Sequence, residues 1–406
     1  MKLLFDPSAV GLYVHVPFCA SICGYCDFYR VLDRGGGVPA DFEELLLMEA
    51  ALYRESPPVE LDSLYFGGGT PSLLGPERLG RLIRGLGAVF AFRPDSEVTL
   101  EANPETVTPA ALRGWLDGGV TRLSIGVQSF DEGVLAALDR RAGPARALEA
   151  VEQAASAGFR RLSVDMMTGV PGQDADSLEA DLERAAQLPV DHLSFYSLDL
   201  HPQTKLHRAV LLGRQLLPDD DAAAQMWERS HELLTERGFE HYEVSNFARP
   251  GGRCRHNLRT WQGGDGIGLG PAAWGRFRAR LLANPRSLAR WRLALKEGRT
   301  PWESVEPLSA RRQKQDLLIF GLRVSDGVPL ESVEELLAED GRDPLAIVKA
   351  LTDHGYAVCE EGVLRLTPLG FLMSSEVLVY LLPRGWAGSS SRARATPGRG
   401  AGRCAT

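Results

Sequence analysis

Two hydrophobic rhythms alternate along the chain. Short runs rich in β-branched residues, at 12–16, 63–66, 98–102, 122–127, 161–166 and 192–198, predict strands. Between them, apolar residues recur three and four positions apart. Residues 41–54 carry Leu45, Met48 and Leu52 on one side, and 75–89, 108–116, 144–157 and 176–187 follow as further helices. Thr108-Pro109 supplies an N-cap with proline at the first helical position. Six strands alternating with helices imply a parallel sheet with right-handed crossovers. A closed eightfold barrel needs two more strand–helix units, and residues 238–300 do not present them clearly. The expected fold is therefore α/β, an incomplete (β/α)6 barrel.

The rhythm changes after residue 306. Residues 308–322 form an amphipathic pattern with Leu317, Leu318 and Leu322 on one side, and 332–339 and 344–354 are also helical. Residues 358–359 and 363–366 make a hairpin around Glu361-Gly362. Two helices and a hairpin suggest a small C-terminal α+β, winged-helix-like module. The expected organisation is a barrel over 1–240, a connecting segment over 241–305, the module over 306–383 and a basic tail over 384–406. The tail has five arginines, no acidic residue and mostly Gly, Ser, Ala and Pro, so it is expected to be disordered.

Composition narrows the function. There are 45 basic and 53 acidic side chains, a formal charge of −8, with 44% apolar and 24% charged residues. An acidic balance argues against broad nucleic-acid binding, which needs a basic surface, and the acidic stretch 331–340 argues against DNA binding by the module. No apolar run approaches the ~20 residues of a membrane span, so the chain is not expected to span a membrane. Residues 1–5 are too short for a signal segment, and Asp6 ends them. Six cysteines are too few for a disulfide scaffold. A cytoplasmic protein with reduced thiols is expected.

Three of those cysteines lie within eight residues, Cys19-Ala-Ser-Ile-Cys23-Gly-Tyr-Cys26, directly after the first strand. Three thiolates leave one iron of a cubane iron–sulfur cluster open to a ligand. The spacing favours that cluster over a zinc site completed by a distant residue such as Cys254. Other unusual residues fall at the carboxyl ends of strands, where barrel chemistry gathers. Gly67-Gly-Gly-Thr-Pro71 follows strand two and is expected to expose backbone N–H groups. Glu101, Gln128 and Asp165 end strands three to five, and strand six carries Tyr196 and Ser197.

With these residues in place, the chain resembles the radical S-adenosylmethionine (radical SAM) proteins. More narrowly it resembles the branch that holds the oxygen-independent coproporphyrinogen III dehydrogenases (oxidases) and the HemW-type heme chaperones. The shared stretches are Tyr13-Val-His-Val-Pro-Phe-Cys19, Gly67-Gly-Gly-Thr-Pro71, Glu101-Ala-Asn-Pro104, Gly126-Val-Gln-Ser129, Asp165-Met-Met-Thr-Gly-Val-Pro-Gly172 and His256-Asn257. The likeness runs from about residue 11 to residue 382. It implies a [4Fe–4S] cluster on Cys19, Cys23 and Cys26, with SAM on the open iron. It also implies that Tyr13, Gly68, Gly69, Thr70, Glu101, Gln128, Arg140 and Asp165 contact SAM or its surroundings. In the family an electron from the cluster cleaves SAM, and the fold positions the cofactors.

Within the branch, the dehydrogenases extend the motif with a fourth cysteine where this chain has Phe28, and only eighteen residues precede Cys19. Both features resemble the heme chaperones, which implies heme as cargo and a heme-accepting protein, of a respiratory chain, as partner. The dehydrogenase reading is the alternative. The chaperones' His-Asn-x-x-Tyr-Trp stands here as His256-Asn257-Leu258-Arg259-Thr260-Trp261. His256 is accordingly the heme-ligand candidate, with Cys254 a second, and Arg253, Arg255 and Arg259 as partners for propionates. Other departures are Asp139-Arg-Arg-Ala142 for Gly-Arg-x-His, His201-Pro202 for Glu-Pro, and Trp274 for His at the end of Gly268-Leu-Gly-Pro-Ala-Ala.

Overall fold

A computed structural model describes residues 8–382; the basic tail expected at 384–406 lies outside them. Six parallel strands form its centre: β1 (Val10–Val16), β2 (Glu60–Gly68), β3 (Ala91–Ala102), β4 (Arg122–Gln128), β5 (Arg161–Thr168) and β6 (His192–Ser197). They pair in chain order. The helices α1 (Phe42–Ala50), α2 (Gly75–Gly87), α3 (Pro109–Asp117), α4 (Pro144–Ser156) and α5 (Ala175–Gln187) cross between them. Each central strand alternates strictly. One set (Leu12, Val14, Leu64, Phe66, Leu100, Leu123, Ile125, Leu162, Val164, Leu193, Phe195) is buried in the main core. The other set (Tyr13, His15, Tyr65, Glu101, Ser124, Gln128, Asp165, Ser194, Tyr196) is polar or aromatic. Side chains two apart share one sheet face, so the second set lines the concave side. That is the lining of a ligand chamber rather than of a packed barrel core.

The partial barrel of six strands matches the expectation. What the sequence left as a connecting segment does more than connect. After a 17-residue helix α6 (Asp220–Glu236), capped by Asp219 and still within the expected barrel region, β7 (Glu240–Glu243) and β8 (Asn246–Ala248) extend the sheet antiparallel beyond β6. The short helix α7 (Arg255–Trp261) then leads to β9 (Gly266–Leu269), which pairs in parallel with β1. Three antiparallel strands, β10 (Trp274–Phe277), β11 (Arg280–Ala283) and β12 (Ser304–Pro307), finish that edge, with α8 (Leu288–Lys296) between the last two. The result is one open sheet of twelve strands in the order β12-β11-β10-β9-β1-β2-β3-β4-β5-β6-β8-β7.

The last unit contains the expected helices and hairpin and adds a two-residue strand and two helices, Pro368–Leu372 and Ser374–Leu381. It contains α9 (Ala310–Gly321), a two-residue strand Val328–Pro329, α10 (Leu330–Glu339), α11 (Pro344–Asp353) and a hairpin of Ala357–Glu360 with Val363–Leu366. It joins the sheet edge through Val244 N–H to the Arg323 carbonyl and Ser325 N–H to the Tyr242 carbonyl, both 2.9 Å. Among the described residues no helix is long and apolar enough to cross a membrane.

Candidate functional site

Pro17 ends β1 and throws the chain into the cysteine loop. The loop is held at several points by backbone bonds: Val31 N–H to the Pro17 carbonyl (2.7 Å), Asp33 N–H to Cys19 (2.8 Å), Gly24 N–H to Leu138 (3.0 Å) and Leu206 N–H to Gly24 (2.8 Å). The glycine turn after β2 was expected to offer free N–H groups. It does not. Gly69 N–H donates to Val16 and Thr70 N–H to Phe18, both at 2.8 Å, and Gly68 N–H donates to Glu101 Oε2 at 3.2 Å. These donors clamp the cysteine loop onto β2 instead. The clamp explains the glycines. Gly68 has φ 117°, and a Cβ on Gly69 would lie 2.7 Å from the Phe18 carbonyl oxygen and the Pro17 carbonyl carbon.

Cys19 is buried, Cys23 and Cys26 are half-buried, and all three are free thiols. Each sulfur has a polar neighbour: the Thr70 hydroxyl for Cys19, the Phe28 backbone for Cys26, and Arg140 Nη1, 3.6 Å away, for Cys23. Burial pushes the Cys19 thiol up to about 11, with Thr70 acting against it and the other two cysteines adding to it. Burial likewise raises Cys26. Donors aimed at buried sulfur are what electron-rich cluster thiolates require, so this donor set fits a [4Fe–4S] cluster. Among the described residues, no three His, Cys, Asp or Glu side chains converge as for a single ion. Cys254, the distant residue named for a zinc site, has its sulfur 3.5 Å from Glu97 Oε1 of β3, with its thiol pushed up to about 12 by burial.

Behind the loop, the polar face of the strands holds two buried carboxylates. Glu101 accepts from the Tyr65 hydroxyl (2.8 Å) and Gly68 N–H. Burial, then the Asp165 charge, pushes it up to about 7. Asp165 accepts from Ser124 Oγ at 2.9 Å and is also raised by burial. Two buried acids that resist ionisation favour a cationic, hydroxyl-bearing guest, and the amino, sulfonium and ribose groups of SAM have those properties. Arg140 turns inward while Arg141 is exposed. Its guanidinium spans Asn103 Oδ1 (3.2 Å), the Gly126 carbonyl and Cys23. Asp139 before it has φ 56°, a conformation that accounts for glycine in the resembled pattern. Gln128 also has a positive φ, 72°, and accepts from Tyr196 at 2.7 Å.

Tyr13 donates to His15 Nδ1 (3.0 Å), because His15 Nε2 is committed to the Tyr29 carbonyl (3.0 Å). Burial, above all, lowers His15 to about 4. The sequence reading missed His15, Tyr65, Asn103, Ser124 and Ser194. The polar half of each strand's alternation was the available signal.

His256 packs against the same polar face, farther from the glycine turn, with its ring centroid 6.3 Å from that of Tyr13. Its Nδ1 lies 3.2 Å from Ser63 Oγ and its ring 5.1 Å from that of Tyr65. Ser63 is five residues before Gly68 on β2, which places this contact roughly 16 Å along the strand from the glycine turn. Burial, then the Arg259 charge, lowers His256 to about 4. The arginines expected to meet propionates have partners already: Arg253 with Asp326 and Glu240, Arg255 with Asp95, and Arg259 with Asp62 in a fully buried pair.

The radical SAM superfamily model matches residues 13–185. The chain is 38% identical over 378 residues to "Heme chaperone HemW" of Mycobacterium tuberculosis, which covers 92% of this chain and 94% of the relative. The chain belongs to the HemW family of radical SAM proteins. Escherichia coli HemW is 39% identical over 272 residues, 66% of this chain and 70% of that one. A mitochondrial radical S-adenosyl methionine domain-containing protein 1 of Bos taurus is 32% identical over 400 residues, 92% of this chain and 87% of that protein. The fold is also that of E. coli coproporphyrinogen III oxidase, a radical SAM enzyme: TM-score 0.79 at 22% identity, covering 93% of this chain and 91% of the other. Membership of the superfamily implies a [4Fe–4S] cluster and SAM, and the cysteine loop and its donors are the group of residues here that suits them.

Proposed function

We propose that this protein is a heme chaperone of the HemW family, which holds a [4Fe–4S] cluster and SAM and passes heme to an acceptor protein of a respiratory chain in the cytoplasm. Cys19, Cys23 and Cys26 would hold the cluster, and Tyr13, Gly68, Gly69, Thr70, Glu101, Gln128, Arg140 and Asp165 would surround SAM. When bound, the cluster supplies an electron to SAM. The chain's own residues do the rest. Thr70 and the Phe28 backbone favour the anionic form of Cys19 and Cys26, and Arg140 stands 3.6 Å from the Cys23 sulfur. The glycine turn fixes the loop, and Glu101 and Asp165 present carboxylates to cationic and hydroxyl groups. Phe28 carries the choice between chaperone and dehydrogenase: it stands where the dehydrogenases have a fourth cysteine, and its side chain is 68% exposed at the loop surface.

Anaerobic reconstitution should give about four irons per chain, with Cys19→Ala retaining iron poorly. Hemin should then shift its Soret band on binding. Turnover of coproporphyrinogen III by the reconstituted protein would overturn the chaperone reading in favour of the dehydrogenase.

A further inference from the structure

The stretch between β6 and α6 is built unlike the rest of the chain. From Leu200 to Pro218 it has no acidic residue but carries Lys205, Arg208 and Arg214, in a protein of formal charge −8. Its first half is anchored. The Thr204 hydroxyl caps the short helix Lys205–Leu211, and Leu206 N–H donates to the Gly24 carbonyl of the cysteine loop at 2.8 Å. The Leu206 side chain is buried in a small cluster with Val134, Leu138, Met167 and Val170, against which Tyr25 packs. Its second half is turned outward. Leu211, Leu212 and Leu216 are 72%, 58% and 78% exposed, the densest group of exposed large apolar side chains among the described residues. Lys205 pairs with Asp139, whereas the exposed guanidinium groups of Arg208 and Arg214 have no partner among the described residues.

Three leucines held in water are unfavourable unless something covers them. Beside two free guanidinium groups, they fit a surface that is apolar within and anionic at its boundary. A protein partner fits less well, because a stable protein contact covers about 800 Å² on each side, far more than three leucines at a helix end offer. An acyl layer needs no matching shape. The aspartates that follow belong to the start of α6, where Asp219 caps the helix, and they mark the end of the basic stretch.

We propose that Leu211, Leu212 and Leu216 insert into the outer part of a lipid layer while Arg208 and Arg214 meet its anionic phosphates, so that the protein docks reversibly on a negatively charged membrane surface. The anchor at Gly24 places this contact next to the cysteine loop, whose Ile22 and Phe28 are also exposed. Docking of this kind spans nothing and does not depend on the cargo, so it goes beyond the heme-chaperone reading.

Flotation of the full-length, anaerobically reconstituted protein with two kinds of vesicle tests this: phosphatidylcholine alone, and phosphatidylcholine mixed with phosphatidylglycerol. Wild type should float with the mixed vesicles and be released by about 1 M salt, which screens charges beyond about 3 Å. The double variant Leu211→Ser/Leu216→Ser should partition at least tenfold more weakly, with iron per chain and far-UV circular dichroism unchanged. Arg208→Gln/Arg214→Gln should lose the preference for phosphatidylglycerol. Leu345→Ser, which removes an equally exposed leucine from the C-terminal unit, should float as wild type does. Equal flotation of wild type and the leucine variant would overturn the assignment, as would an equal loss in Leu345→Ser or no flotation of wild type with either vesicle. Self-association of wild type in sedimentation, abolished by the leucine substitutions and accompanied by no flotation, would give the patch to a second copy of the chain instead.

Discussion

Replacing Glu101 by glutamine should change stability in a pH-dependent way. The carboxyl sits at about 7 against an ordinary 4.5 because it is buried and faces Asp165. Its ionisation therefore costs the folded state about 3 kcal/mol once the pH is well above 7, at about 1.4 kcal/mol per pH unit between the two pKa values. Because the folded pKa is the higher one, wild type loses this stability as pH rises from 4.5 through 7. At pH 5 the cost is still only about 1 kcal/mol. Glutamine removes the charge and keeps an oxygen for the Tyr65 hydroxyl. It loses the bond from Gly68 N–H, worth about 1 kcal/mol. The two proteins should thus be nearly equal at pH 5, and Glu101→Gln about 2 kcal/mol more stable at pH 8. Anaerobic urea unfolding of SAM-free protein, followed by tryptophan fluorescence, measures this. Calorimetry at pH 8 should at the same time find weaker SAM binding. A stability difference that stays flat between pH 5 and pH 8 would refute the argument, because it would mean that Glu101 is not held up by burial.

Three further predictions follow from other parts of the molecule. Gly69→Ala should displace the cysteine loop, since its Cβ would meet the backbone of Pro17 and Phe18 at 2.7 Å; iron retention should fall, whereas Gly36→Ala, with nothing within 4 Å, should retain the wild-type iron content. Arg259→Met leaves Asp62 buried and unpaired and should cost about 3–5 kcal/mol in urea unfolding; a loss below about 1 kcal/mol would contradict the burial of that pair. His241, lowered to about 3 by burial and then by His231, stacks on Phe247 at 4.3 Å. Its folded pKa lies below the unfolded one, so stability present above pH 6.5 is lost as pH falls, by about 2 kcal/mol at pH 5. His241→Phe should keep the stacking and lose less stability between pH 7 and pH 5, read from urea midpoints.

Much of the fold was legible because it is local. Apart from β3, which begins seven residues early at Ala91, the six strands and five crossover helices extend no more than a few residues beyond the sequence expectation, as do the expected helices and hairpin of the C-terminal unit. Helix α6 was equally legible and was not read: Asp219 caps it, and Met226, Trp227, Leu233 and Leu234 recur at helical spacing. The short strands β7 to β12 were harder. At three or four residues each, their patterns are too brief to mark a period, and their pairing with β6 and β1 follows only once the barrel is left open.

The sequence by itself determined the cysteine loop, the strand ends that surround it and the family, because spacing within one loop and alternation along one strand do not depend on the rest of the chain. Tertiary structure decided what each polar group has left to offer. The glycine turn proves to be a clamp because its N–H groups meet Val16, Phe18 and Glu101, residues from 33 to 53 positions away. The arginines near His256 are paired, one of them with a carboxylate 197 residues away. His201, a turn residue in the sequence, lies beside Asp27 because β6 ends at the same mouth as β1. A side chain's chemistry depends on its partners and its exposure to water, and both are fixed only when distant segments close on one another.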